Sequence, residues 1–170
     1  MQVLDHLNII KISEFGENGK VVNGKRVNDS LTYIVMEYTE GQTLFDLWYK
    51  HGKGLGENYG RFLMHQLIDA LEHMHSKGII HRDLKPENII VDNRMNVKLL
   101  DFGFSAYENI DELSSYRGTM TYMAPEIKKG MVYKGTEIDV FSLGVVIFSM
   151  VHGLFPFQEA RRTDQWYGMI

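Results

Sequence analysis

The string His81-Arg82-Asp83-Leu84-Lys85-Pro86-Glu87-Asn88 sets an acid, a lysine and an amide within six positions, and Asp101-Phe102-Gly103 follows eighteen residues after Asp83. A carboxylate can take up a proton and an ammonium can neutralise a phosphate. An amide oxygen paired with a second carboxylate makes a hard-oxygen set suited to Mg2+. Two short strands fit between the two strings, and a hairpin there brings Asp83, Lys85, Asn88 and Asp101 to one edge. Together these are the parts that phosphoryl transfer needs.

Other spacings invite different chemistry and fail on geometry. Gly19-Lys20-Val21-Val22-Asn23-Gly24-Lys25-Arg26 nearly spells a phosphate-binding loop, but Arg26 stands where a hydroxyl should meet magnesium. The following Val27-Asn28-Asp29-Ser30 reads as a turn-like stretch rather than the helix start such a loop needs, so a plain hairpin turning at Asn23-Gly24 is expected. His65, Glu72, His73, His75 and His81 do not form a metal site: on a helix His73 and His75 point about 200° apart, and His65 to Glu72 spans about 10 Å of axis. A solvated helix face is expected for all of them except His81. Gly52, Gly54 and Gly56 fall in a short connection between helices, where a dinucleotide fingerprint has no strand to follow.

The elements that must position the chemical groups can be read from periodicity. Leu7 to Ile12 and Leu31 to Met36 read as strands, joined by a long hairpin-like excursion. Leu63, Leu67, Leu71 and Met74 recur at helical spacing, and Gly78 after Lys77 signals the helix end. Asn88 to Val91 and Val97 to Leu100 read as short strands around a turn at Asp92 to Asn96. A loop of about twenty residues follows Gly103, a length that is usually functional or disordered. From Ala124 onward a short helix, an apolar helix over Val140 to Val151 and the start of another are expected.

Composition closes off several classes. In 170 residues, 44% hydrophobic and 24% charged content excludes disordered, collagen-like and coiled-coil chains. Lys plus Arg at 18 against 22 for Asp plus Glu gives a net charge of -4, with no basic footprint for nucleic acid. The absence of cysteine rules out disulfides, thiolate zinc sites and thiol nucleophiles, and fits a reducing compartment, so a cytoplasmic location is expected with the nucleus as the other option. The N-terminus has no basic region followed by an apolar stretch, so no secretion signal is expected and the sequon at Asn28 reads as chance. The longest mostly apolar run, Val140 to Val151, is well short of the ~20 residues that span a bilayer, so a buried helix and no membrane association are expected.

With Ala124-Pro125-Glu126 in third place after the Asp83 and Asp101 strings, the chain resembles the eukaryotic protein kinases of serine/threonine type. The likeness covers nearly the whole sequence, from where the family's first regulatory helix ends to a point before its last helices. It implies an α+β, protein-kinase-like fold. Residues 1–38 would be a remnant of the N-terminal β lobe with the hinge, and residues 39–170 a truncated, mostly helical C-terminal lobe.

The resemblance also implies roles. Asp83 would orient the substrate hydroxyl and accept its proton, and Lys85 would neutralise the transferring phosphate and point to serine or threonine acceptors. Asn88 and Asp101 would hold two Mg2+ ions against ATP. Met36, Glu37, Tyr38 and Thr39 fall at the hinge, where backbone groups read the adenine edge, with Ile90 in the apolar floor below. Arg82 would await a phosphate on Ser115, placed there by an upstream activating kinase. Thr119 would bond the catalytic aspartate and lysine, Asp139 would brace the loop, and His81 and Phe102 would be structural. Thr43 stands where relatives place an acid near the ribose, with Asp46 as a substitute, and Glu87 could attract a basic residue of a protein substrate.

Two family parts lie outside this sequence, the Gly-rich loop with its strand lysine and the helix glutamate that pairs with it. Loss of one preorganised charge-stabilising group costs about 10²–10³ in rate, so the chain as given is expected to be weakly active or inactive. Exposed apolar surface, an unpaired Glu126 and marginal stability are expected with it. A noncatalytic binding or scaffold module is the competing reading.

Overall fold

The computed structural model describes residues 3–23, 26–108, 113 and 116–169. Two strands, β1 (Ile12–Asn23) and β2 (Arg26–Met36), form an antiparallel ribbon whose pairing runs from Ile12 with Met36 to Asn23 with Arg26. The hairpin expected in place of a phosphate loop is therefore present, although Gly24 itself lies outside the described residues. Val27 to Ser30 is strand, not turn: the pairings of Val22 with Val27 and Val21 with Asn28 keep these residues in the ladder. The irregularity falls instead at Asn18 and Ser30, both with φ near +60° (61° and 59°), and the register shifts between Gly16 and Val21.

Leu7 to Lys11 is not part of that strand. Leu99 N–H donates to Asn8 O at 2.8 Å and Ile10 N–H to Leu99 O at 2.9 Å, which ties these residues to a different strand by a single parallel bridge at Ile9. Leu4 and Ile9 accordingly pack in the core of the helical part, while Phe15, Ile34, Val35 and Met36 on the ribbon remain exposed.

The helical part is built on α1 (Leu44–His51), α2 (Gly56–Ser76), α3 (Pro125–Lys128) and α4 (Gly135–His152). Thr43 caps α1 by accepting Asp46 N–H at 3.0 Å, and its hydroxyl donates to Asp46 Oδ2 at 2.8 Å. Gly52, Gly54 and Gly56 do fall in the α1–α2 connection. The expected periodic residues of α2, Leu63, Leu67, Leu71 and Met74, are all buried, and Gly60 lets α4 approach, since a Cβ there would meet Val151 Cγ2 at 2.5 Å. α4 is long and apolar enough by length and composition to cross a membrane. It instead packs on α2 and into the core through Ile138, Leu143, Val146 and Met150. Between α2 and α4 a groove leaves Ile68 and Val140 exposed.

Two small sheets lock the loops. β3 (Gln42–Thr43) pairs with β5 (Ile89–Val91), which pairs with β6 (Val97–Leu99), and β4 (Ile79–Ile80) pairs with β7 (Ala106–Tyr107). The β5–β6 turn is held by the Asp92 carboxylate, which accepts from Arg94 N–H, Asn96 N–H and Asn96 Nδ2 at 2.8 Å each. Among the described residues no further α-helix begins after α4. Asp164 draws the chain into turns by accepting four backbone N–H groups, from Gln158, Glu159, Trp166 and Tyr167, and only a 3-10 turn at Tyr167–Met169 follows. These four bonds, led by the one from Tyr167, hold the Asp164 carboxyl below its ordinary value.

Candidate active site

Asp139, buried on α4, organises the site from beneath. Its Oδ2 accepts His81 N–H and its Oδ1 accepts Arg82 N–H, each at 2.8 Å. Arg82 sits at φ 67°, a left-handed conformation that costs about 1–3 kcal/mol for a residue with a side chain. The two charge-assisted bonds from Asp139 offset that strain and turn the chain so that the next residue, Asp83, faces inward.

Asp83 is 4% exposed and its carboxylate is fully engaged. Oδ1 accepts Thr119 N–H at 3.0 Å and Thr119 Oγ1–H at 2.9 Å; Oδ2 accepts Lys85 Nζ at 2.6 Å and Asn88 Nδ2 at 3.2 Å. Lys85 Nζ also donates to Thr119 Oγ1 at 3.1 Å, which closes a triangle of Asp83, Lys85 and Thr119. Gly118, at φ 113°, allows Thr119 to come this close, because a Cβ there would meet Arg82 O at 2.8 Å. Thr119 thus touches both Asp83 and Lys85, the two side chains that the resemblance pairs it with.

Asn88 closes the 3-10 turn Pro86–Asn88, with Pro86 at its first position. Its amide nitrogen donates to Asp83 O at 2.9 Å, so its amide oxygen is the acceptor that this bond leaves over. Across the β5–β6 hairpin, Leu100 N–H donates to Asn88 O at 2.8 Å, and this places Asp101 one residue beyond Asn88's partner. Asp101 is exposed, at φ 57°, with Oδ1 accepting Gly103 N–H at 3.1 Å. An amide oxygen and a carboxylate on one edge are hard-oxygen donors that fit Mg2+, which keeps several waters and takes few protein ligands.

His81 is fully buried between these groups. Nδ1 accepts Asp83 N–H at 3.3 Å and Nε2 donates to Leu100 O at 2.9 Å, which fixes the neutral tautomer. Burial holds its ring below the ordinary histidine value, against the pull of Asp139. Phe102 lies over it with ring centroids 5.4 Å apart, in keeping with structural roles for both.

His75 was expected on a solvated helix face and is not there. Its Nε2 lies 2.9 Å from Asp139 Oδ2 with only 16% of its side chain exposed, so α2 contributes to the same brace. Helical spacing alone gave no sign of this, because the partner lies 64 residues away. His73 is likewise half-buried and stacks on His6. Burial also pushes the Tyr122 hydroxyl up, with Glu87 adding to the effect.

Of the hinge residues expected to read a nucleotide, only Met36 lines a cavity with Asp101 among the described residues. An apolar cavity of about 560 Å3 beside Asp101, Phe102 and Gly103 is lined by Ile10, Ile12 and Met36. Glu37 and Thr39 instead line a polar cleft of about 420 Å3 with Arg94, Asn96 and Lys98. Glu37 accepts from Lys98 Nζ at 2.5 Å and from Lys11 N–H at 2.9 Å. Burial raises the Glu37 carboxyl, and these bonds outweigh it and bring it below its ordinary value. Glu37 N–H is also engaged, with Lys11 O at 3.0 Å, whereas Glu37 O and both backbone groups of Thr39 make no backbone hydrogen bond among the described residues. Ile90 pairs with Thr43 and packs over Gly41.

Arg82 Nε donates to Phe104 O at 2.5 Å, which turns its guanidinium toward the segment after Gly103. Ser115, the expected phosphate acceptor, lies outside the described residues. Glu126 forms no ion pair among the described residues.

Comparison with known proteins places this geometry. The family model described as the protein kinase domain matches residues 1–170. CBL-interacting protein kinase 24 of Oryza sativa subsp. japonica is 40% identical over 161 residues, which is 94% of this chain and 33% of the relative. CBL-interacting serine/threonine-protein kinase 24 of Arabidopsis thaliana is 38% identical over 161 residues, 94% of this chain and 34% of the relative. The chain thus spans about a third of the length of these curated relatives. With its Asp83, Lys85 and Thr119 triangle, its Asn88 and Asp101 pair across one hairpin and a family match along its whole length, the chain belongs to the protein kinase domain family.

Proposed function

We propose that this chain carries the helical catalytic lobe of a serine/threonine protein kinase, which transfers the γ-phosphoryl group of ATP to a hydroxyl of a protein substrate. The observation that carries the reading is the four-donor cage around the Asp83 carboxylate, with Lys85 as one of its members. A structural turn has no use for a buried acid held by a lysine that can swing to a phosphate.

In this reading Thr119 and Asn88 fix the Asp83 carboxylate, so that reorientation costs little at the moment of reaction. When Lys85 turns to the transferring phosphate, an Oδ2 lone pair of Asp83 is freed to take the hydroxyl proton of a serine or threonine. Asn88 Oδ1 and the Asp101 carboxylate would hold Mg2+, which would neutralise charge on the nucleotide phosphates. The open backbone groups of Glu37 and Thr39 support adenine recognition at the hinge, with Ile90 beneath. The serine/threonine choice is supported by Lys85 and by the printed name of the Arabidopsis relative. Activation by a second kinase through Ser115 and Arg82, and a cytoplasmic location, belong to the same proposal.

Titration calorimetry with ATP in the presence and absence of Mg2+ tests it. Saturable, Mg2+-dependent binding is expected. Absence of binding would favour the noncatalytic module.

A further inference from the structure

The chain leading into β1 meets α2 through a pair of imidazoles. His6 and His73 lie with ring centroids 5.1 Å apart and planes inclined by 33°. Asn8 N–H donates to His6 Nδ1 at 3.1 Å, so Nδ1 is the lone-pair nitrogen and the neutral ring carries its proton on Nε2. His73 Nε2 is buried and has no hydrogen-bond partner among the described residues. The other charged groups that act on His6 are Asp69 from α2 and Lys98 from β6, and on its own segment Asp5 is paired with Lys11 at 3.6 Å.

Asn8 makes the state of His6 matter elsewhere. Its side-chain nitrogen donates to Val97 O and to Gln66 Oε1, both at 2.9 Å, and its carbonyl accepts Leu99 N–H. Gln66 in turn accepts Val97 N–H at 2.9 Å and donates to Met95 O, so that α2, the N-terminal segment and β6 share one polar knot. The chain leaves that knot at Leu99 and reaches Asp101 two residues later.

A proton on Nδ1 would turn the acceptor for Asn8 N–H into a donor, with two N–H groups facing one another. It would also set a cation beside His73 and Lys98 in a partly buried place, with only Asp69 to favour it. We propose that the His6–His73 pair is a proton-operated latch: neutral His6 holds Asn8 against β6, and protonation of His6 frees residues 8–10 from Leu99 and loosens the approach to Asp101. The consequence for metal binding rests on the role given to Asp101 above; the latch does not, and its test is read on the latch.

The test follows the histidine ring signals and the Leu99 amide of the 170-residue chain by NMR between about pH 7.5 and about pH 5. His6 is expected to titrate below 6.5, with burial as the main cause and His73 the second. Between 6.5 and that lower midpoint the opening of the Leu99 amide, corrected for intrinsic exchange, is expected to grow by up to about tenfold per pH unit. His6→Asn retains a side-chain acceptor for the N–H two residues on and cannot titrate, so Leu99 should stay protected throughout. His73→Gln should raise the His6 midpoint and Asp69→Asn should lower it. A His6 midpoint at or above 6.5, a Leu99 amide that ignores the titration, or a His6→Asn chain that opens as the wild type does would each overturn the latch. Failure of Mg2+-ATP binding would leave all of these results unchanged and bears only on the kinase reading.

Discussion

Asp139 Oδ2 accepts His81 N–H at 2.8 Å while His75 Nε2 lies 2.9 Å from the same oxygen, so one buried carboxylate on α4 joins α2 to the loop that carries Asp83. Two backbone bonds and a side-chain bond end on it, together with the strained turn at Arg82.

His75→Ala should therefore destabilise the chain by about 1.5–3 kcal/mol, the range for a hydrogen bond to a charged group, and Asp139→Ala by more, because it also strands His81 N–H and Arg82 N–H. Urea unfolding of the two variants would check the order. Equal losses would mean that the backbone bonds carry no weight.

The metal pair separates binding from chemistry. Asp101→Ala and Asn88→Ala are each expected to abolish the Mg2+ dependence of ATP binding, measured by calorimetry. Asp83→Asn should bind nucleotide as before and lower transfer by about 10²–10⁴, since it removes only the proton acceptor. Lys85→Ala should lower transfer too, and the double variant should lose less than the product of the two, because both side chains meet on Thr119.

Stability should fall with acid below neutrality. His81 is neutral in the folded chain because burial lowers its value, and on unfolding it regains the ordinary 6.5. As pH drops below 6.5 the unfolded chain binds the extra proton first, so stability is lost by up to about 1.4 kcal/mol per pH unit per such group until the folded value is reached. Thermal melts at about pH 7.5 and about pH 5.5 should show the lower midpoint at the acid end. A rise on acidification would contradict the neutral ring.

The groove between α2 and α4 carries a prediction of its own. Val140 is 60% exposed on the outer face of α4, so Val140→Lys should change stability by no more than about 0.5 kcal/mol while reducing self-association. Light scattering against concentration would show it.

Much of this site was legible from residue order. The β-branched runs at Ile89–Val91 and Val97–Leu99, with Asp92 and Asn96 between them, specify a hairpin by local chemistry, and that hairpin alone sets Asn88 opposite Leu100. The helix through Leu63, Leu67, Leu71 and Met74 follows from period in the same way. What could not be read depends on partners distant in the chain. Leu7 to Lys11 has the composition of a strand, but Asn8 and Ile10 bond to Leu99, some ninety residues on, and the ribbon begins later. Val27 to Ser30 has the composition of a turn, yet cross-strand pairing with Val21 and Val22 extends it. His75 has no local mark of its bond to Asp139, and Glu37 none of its bond to Lys98.

The central claim is that Asn88 from the His81–Asn88 loop and Asp101 hold divalent cations beside Asp83 and Lys85. Mn2+, used as a paramagnetic probe for Mg2+ and added with ATP, tests this directly through NMR line broadening along the chain. The account predicts that signals of Asn88 and Asp101 broaden first and together, with Asp83 and Lys85 next, and that Asp101→Ala removes the effect. Broadening centred elsewhere, such as on Asp92 and Glu40, or unaffected by that substitution, would contradict it.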